Sequence, residues 1–183
     1  MTPPVPPGLE LAHAVLYVHD LDVIVDFYCD VLGFEVTDRG PIRTFEVAFL
    51  SQAVTHHQIA FMTGRTSPSP SHTLNHVAFR STGSLDDLRV LHGRLRQRSD
   101  VSDVRTLTHG NTWSVYFLDP EHNGVEIYVS TPWHVAQPQG EDIDLSEPDE
   151  SIIARTRALF EGEPTFEDQS AFRRRRAERL GLG

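Results

Sequence analysis

Residues 11–16 read LAHAVL and residues 74–79 read LNHVAF, each with a histidine in third place, His13 and His76. Each stretch is followed by a helical pattern and then by three runs rich in β-forming residues. A sequence that repeats a whole supersecondary unit constrains the fold more than any single helix or strand, because both copies must bury the same apolar faces.

The first copy opens with the strand LAHAVLYVH (11–19). Asp20 and Asp22 supply N-capping carboxylates, VIVDFYCDVLG carries apolar residues at helical spacing, and Gly33 stops the helix. FEVTDR, RTFEVAFLS and HHQIAFMT read as three strands. The first module is therefore βαβββ over residues 9–63, followed by a Gly/Ser/Pro-rich linker, GRTSPSPSH, over 64–72. In the second copy LNHVAFRS is a strand, Ser84 caps a helix over LDDLRVLHGRLRQR, and SDVRTLTHG, TWSVYFLD and GVEIYVS are strands. That gives βαβββ again over 73–131. Residues 132–183 differ: TPWHVAQPQGEDIDLSEPDE is loop-like, and SIIARTRALFEG and FEDQSAFRRRRAERLG are helical. Trp133, Phe160, Phe166 and Phe172 imply that this extension packs on something, either the open side of a barrel or a second subunit. The fold class is α+β: two tandem βαβββ modules forming an open barrel, plus a C-terminal helical extension.

The net charge of −10 argues against nucleic acid, whose phosphates need a basic surface. All 16 basic residues are arginine, and the one cluster, Arg173 to Arg176, reads as a solvated helix face. No run approaches the roughly 18 apolar residues of a membrane-spanning helix. MTPPVPPGLE lacks the positive residue and apolar core of a secretory signal, so no membrane partner and a cytoplasmic location are expected. The single cysteine, Cys29, lies in an apolar helix pattern and reads as a structural thiol.

Ten histidines stand out. His13, His57, His76 and His109 lie in strand patterns with apolar neighbours, which calls for a common cause. His13 and His76 hold equivalent places in the two modules and would face a shared cavity. Glu126 lies between Val125 and Ile127, which point the other way along the strand. A buried carboxylate is expensive unless a cation relieves it. Two neutral imidazoles and one carboxylate form the facial triad typical of non-haem Fe(II) oxygenases, and zinc accepts the same ligand types. Histidines that merely satisfy a core are the alternative.

The paired LAHAVLYV and LNHVAFR modules resemble the vicinal oxygen chelate superfamily over about residues 9–135. That group takes in glyoxalase I, methylmalonyl-CoA epimerase, fosfomycin and bleomycin resistance proteins, and type I extradiol dioxygenases. Glyoxalase-like members use a further carboxylate ligand near the end of module one, where this chain reads THHQIAFM and has none. The pair His56-His57, followed after one further residue by an apolar residue, alanine and phenylalanine, is instead similar to the extradiol ring-cleaving branch. There the second histidine is an acid/base beside the O2 position, a role the resemblance implies for His57. His56 would be its neighbour on the other face. The stretch HGNTWSVYFLDPEHNGVEIY fits the same branch: His109, then Val115-Tyr116, Asp119-Pro120 and Glu126. One departure is His122, standing where the family prefers glycine or proline; it reads as a solvated turn residue.

The resemblance implies a glyoxalase/dioxygenase-like open barrel with His13, His76 and Glu126 on Fe(II), Mn(II) being an alternative. It implies His57 as acid/base and His109 with Tyr116 on the catechol hydroxyl. The reaction implied is extradiol cleavage of a catechol-type diol by O2 to a muconic semialdehyde-type product, in a homo-oligomer. A metal-dependent lyase or isomerase of the glyoxalase or epimerase type is a second reading, with Gln58 its only candidate extra ligand. A non-catalytic binding protein of the bleomycin-resistance type is a third. His134 is considered for the site entrance and Arg43 for a substrate clamp; His19, His72 and His92 read as surface, linker and helix residues.

Overall fold

The computed structural model describes residues 10–67 and 74–182. Most of the 64–72 linker, including His72, lies outside the described residues. The chain forms two compact units, residues 1–68 and 69–183.

In the first unit, β1 (Ala14–Val18) leads into α1 (Leu21–Asp30), then β2 (Glu35–Ile42), β3 (Phe45–Ser51) and β4 (Ile59–Thr63). The Asp20 carboxylate accepts the backbone N–H of Asp22 and of Val23, both at 3.1 Å, which satisfies two of the donors a helix start leaves open. Gly33, at φ +78°, ends the helix in a conformation that other residues adopt at a cost. Ile24, Phe27 and Tyr28 are buried, and the Tyr28 ring lies 4.6 Å from that of Phe61. The sheet order is β1-β4-β3-β2, with β1 parallel to β4 and the other pairs antiparallel.

In the second unit, β5 (Val77–Arg80) is followed by α2 (Leu85–Arg96), β6 (Ser102–Thr108), β7 (Thr112–Leu118) and β8 (Gly124–Ser130). Asp87 accepts from the Ser84 backbone N–H at 2.7 Å and from its hydroxyl at 3.0 Å, closing the start of α2. β5 lies parallel to β8, and β8 to β7 and β7 to β6 antiparallel, so the second module repeats the connectivity of the first. Both sheets are open and mixed, the α+β architecture the repeat predicts.

The extension adds β9 (Trp133–His134), β10 (Glu141–Asp142), α3 (Asp149–Phe160), β11 (Glu167–Asp168) and α4 (Gln169–Leu180). The stretch read as loop thus holds short strands: β10 joins the second sheet beside β6, and β9 pairs with β11. The extension packs within its own unit. Trp113 donates its indole N–H to the Thr156 hydroxyl at 2.8 Å, both residues being buried. Arg89 of α2 donates to the carbonyls of Leu145 and Glu147, each at 2.7 Å. The tail aromatics find partners there too: Trp133 lies against Phe166, and His134 stacks on Phe172 at 3.5 Å. Arg173, Arg174 and Arg176 lie exposed on α4, as a solvated face requires. No helix among the described residues is long and apolar enough to cross a membrane.

Candidate active site

Two neighbouring strands of the second unit set its key pair. Val77 stands opposite Val125 and Ala78 opposite Glu126, which puts His76 just ahead of β5 beside the start of β8. Gly124 makes room there: a Cβ on it would lie 2.2 Å from the Asn75 carbonyl oxygen and 3.2 Å from the His76 Cβ. The bare backbone lets the strands close, and His76 Nε2 comes within 3.3 Å of Glu126 Oε2. Glu126 is only 7% exposed. Among the described residues its polar neighbours include His76 and the Tyr116 hydroxyl, neither of them a fixed cation. Such a carboxylate suits a metal ion, which would supply the missing positive charge. Two donors each about 2.1 Å from one ion at right angles lie about 3.0 Å apart, so the His76–Glu126 spacing fits adjacent positions on one ion.

Tyr116 lies directly across β7–β8 from Glu126, with its ring edge-on to His76 at 5.3 Å. Burial first, and then the hydrogen bond to Glu126 and its charge, push the phenol well above its ordinary range, so Tyr116 keeps its proton and serves as an O–H donor. Its Oη is 2.9 Å from His109 Nε2. The other ring nitrogen, His109 Nδ1, faces the carbonyl oxygen of Gln139 at 2.5 Å.

The first unit presents a related but different face. His13 immediately precedes β1 as His76 precedes β5. In module one Ala14 stands opposite Ile59, and Val15 opposite Ala60. Ala60 therefore holds the place matched to Glu126, and Phe49, paired with Ala60, the place matched to Tyr116. Module one has no carboxylate at the matched position. The His57 ring lies 4.3 Å from that of His13 and 4.9 Å from that of Phe49. Its Nδ1 is 2.8 Å from His56 Nδ1, and His56 Nε2 is 2.8 Å from the Asp38 carboxylate. His56 is thus in contact with His57 and not turned to an opposite face. Residues 52–56 bend ahead of β4, so strand alternation does not apply to them. Burial, and then the neighbouring His13 and His56, depress the His57 pKa and favour the neutral ring. Gln58 Oε1 accepts the backbone N–H of Gln52 at 2.8 Å, which employs it in closing that loop.

Among the described residues, no three His, Cys, Asp or Glu side chains lie close enough together to hold a metal ion. The structure brings His76 to Glu126, Tyr116 to His109, and His13 to His57. His122 is an exposed turn residue at φ +62°, its N–H donating to the Asp119 carbonyl at 2.8 Å. Glycine adopts that left-handed conformation freely, whereas proline, locked near φ −65°, does not. His134 is occupied by its stack on Phe172. Arg43 is exposed in the β2–β3 turn at φ +55°. Cys29 is partly buried and its thiol pKa is raised, chiefly by that burial, as befits a structural thiol. Sequence reasoning did not find the Gln139 carbonyl, which leaves no side-chain signature. It also missed Phe49, visible only once strand register aligns the modules.

The model of the Glyoxalase/Bleomycin resistance protein/Dioxygenase superfamily matches residues 10–127. The chain belongs to this superfamily. Within the superfamily it is 32% identical over 124 residues to biphenyl-2,3-diol 1,2-dioxygenase 3 of Rhodococcus globerulus, covering 65% of this chain and 62% of that one. It is 34% identical over 125 residues to biphenyl-2,3-diol 1,2-dioxygenase of Metapseudomonas furukawaii, covering 64% and 38%. This superfamily member thus spans less than two thirds of the length of these relatives. Among solved structures, a glyoxalase/bleomycin resistance protein/dioxygenase domain from Frankia sp. EAN1pec superimposes with a TM-score of 0.56 at 22% identity, over 69% of this chain and 94% of that one. The fosfomycin resistance protein FosX of Listeria monocytogenes, complexed with Mn(II) and sulfate, gives 0.52 at 19%, over 69% and 95%. These likenesses show the fold.

Proposed function

We propose that this superfamily member is an extradiol dioxygenase that opens the ring of a catechol-type diol with O2. The observation that carries this reading is the buried Glu126–His76 pair standing next to the hydrogen-bonded Tyr116–His109 pair. Metal donors and a proton-transfer pair for a hydroxylated substrate thus share one sheet face. The relatives named biphenyl-2,3-diol 1,2-dioxygenase support the same class.

In this reading His76 and Glu126 are the donors that the second unit brings together for Fe(II), with Mn(II) the alternative, and His13 is the further ligand that the family resemblance implies. Iron held there would supply Lewis acidity toward the diol and electron transfer toward O2, and with one carboxylate against its two positive charges it would favour a deprotonated diol. His109 accepts a proton at Nε2, and Tyr116 donates its O–H to the oxyanion that develops on the diol oxygen. His57, beside His13, acts as the acid/base on the O2-derived oxygen. The reaction needs no further reductant, since every atom of diol and O2 is kept in the muconic semialdehyde-type product. The lyase or isomerase reading would need a carboxylate or amide ligand in module one, where Ala60 stands in the matched place and Gln58 accepts the Gln52 N–H.

Metal analysis of variants tests the ligand assignment. Glu126→Ala and His76→Ala should each lose bound iron. His57→Ala should keep the iron and lose turnover; loss of iron in that variant would mean the ligands are misassigned.

A further inference from the structure

The C-terminal extension lies beyond residue 127, where the superfamily match ends, yet it reaches the candidate site at His109. A carbonyl oxygen only accepts hydrogen bonds, so the Nδ1 of His109 that faces the Gln139 carbonyl must carry hydrogen. In a neutral ring this leaves Nε2 bare, aimed at the Tyr116 hydroxyl 2.9 Å away. The single Tyr116 O–H, which Glu126 also attracts, can then donate to Nε2.

The carbonyl is held in place from several sides. Gln137 donates its side-chain N–H to the carbonyl of His109 at 2.8 Å, and its side-chain oxygen accepts the N–H of Gln139 at 3.1 Å. Upstream, Val135 is fully buried and donates its N–H to Asn111 Oδ1 at 2.7 Å. Next to His109, Gly110 leaves a gap that Val135 fills: a Cβ there would be 2.5 Å from the Val135 side chain. Downstream, β10 is hydrogen-bonded to β6, with Glu141 opposite Thr108.

We propose that the extension is a positioning element for the site, in which Gln137 clamps the Gln139 carbonyl onto His109 and so fixes that ring as the Nδ1–H tautomer. The consequence for the proposed reaction, on which this point alone rests, is that His109 always offers Nε2 as the acceptor. Without the clamp the ring would also populate the Nε2–H form, which cannot accept from Tyr116 or from a substrate hydroxyl.

The test is a long-range 1H–15N correlation spectrum of the histidine side chains in the 15N-labelled full chain. It is recorded at about pH 8.5, two units above the ordinary histidine value. The His109 signals are assigned by their loss in His109→Gln. The wild type should show one tautomer, with a protonated Nδ1 and a bare Nε2. Tyr116→Phe should keep it, because the carbonyl and not the tyrosine sets the state. Gln137→Ala should lose it and show averaging between the two forms. A wild-type ring protonated at Nε2 alone or at both nitrogens would overturn the proposal. So would a Gln137→Ala spectrum identical to wild type, or a tautomer change in Tyr116→Phe. The readout needs neither metal nor substrate, so it stands or falls separately from the ring-cleavage reading.

Discussion

Gly124→Ala is the substitution that couples the fold most tightly to the candidate metal donors. The added Cβ would meet the Asn75 carbonyl oxygen at 2.2 Å, whereas real Cβ atoms essentially never come within 3.0 Å, so the strands must part by at least 0.8 Å. The obstacle is backbone, which cannot swing aside as a side chain can. Overpacking of this kind costs about 1–3 kcal/mol, and for a chain of this size each kcal/mol lowers Tm by roughly 2–4 °C. The same displacement carries His76 from 3.3 Å to about 4 Å from Glu126, too far for adjacent positions on one ion. Two measurements follow: thermal unfolding of the apo chain, and the iron bound per chain after anaerobic reconstitution. Both should fall, the second to a small fraction of wild type. Wild-type Tm together with full iron loading would refute the argument that the bare backbone at Gly124 sets the His76–Glu126 spacing.

Other substitutions test separate pieces. His122→Gly should stabilise the chain by up to about 1 kcal/mol in urea unfolding, because the αL penalty of about 1–2 kcal/mol disappears while glycine's extra unfolded-state freedom offsets part of the gain. Thr156→Val should destabilise by about 1–3 kcal/mol, since it leaves the buried Trp113 N–H without its acceptor; adding Trp113→Phe should cost less than the sum of the two single changes. The Asp119 carboxyl has a raised pKa because burial outweighs the hydrogen bonds it accepts from Asn123 and Glu121. A raised folded-state value means its contribution is fully present below the unfolded pKa and is lost as pH rises through the folded one. The unfolding free energy of wild type minus that of Asp119→Asn should therefore decrease as pH rises from below the ordinary aspartate value of about 3.9; a flat or rising difference would contradict this.

The paired βαβββ units were legible because their local signals agree. Asp20 and Ser84 mark the helix starts, Gly33 marks one helix end, and GVEIYVS spans the whole of β8. The equivalence of His13 and His76, each one residue ahead of a module's first strand, was legible from the repeat. What escaped has no local signal. The strands β9, β10 and β11 hold two residues each and exist only through partners distant in sequence. The His56–His57 contact arises because the chain bends where alternation predicts a strand. The tail aromatics were legible as packing residues, but their partners in the second unit were not. The hydrogen bond to His109 comes from a backbone carbonyl, which no residue type announces.

The measurement that bears most directly on the central claim is O2 uptake by the anaerobically Fe(II)-reconstituted chain on addition of 2,3-dihydroxybiphenyl or a simple catechol. One O2 consumed per diol, with a yellow ring-opened product, is the predicted result. Bound iron with no uptake across a broad panel of catechols would contradict the assignment.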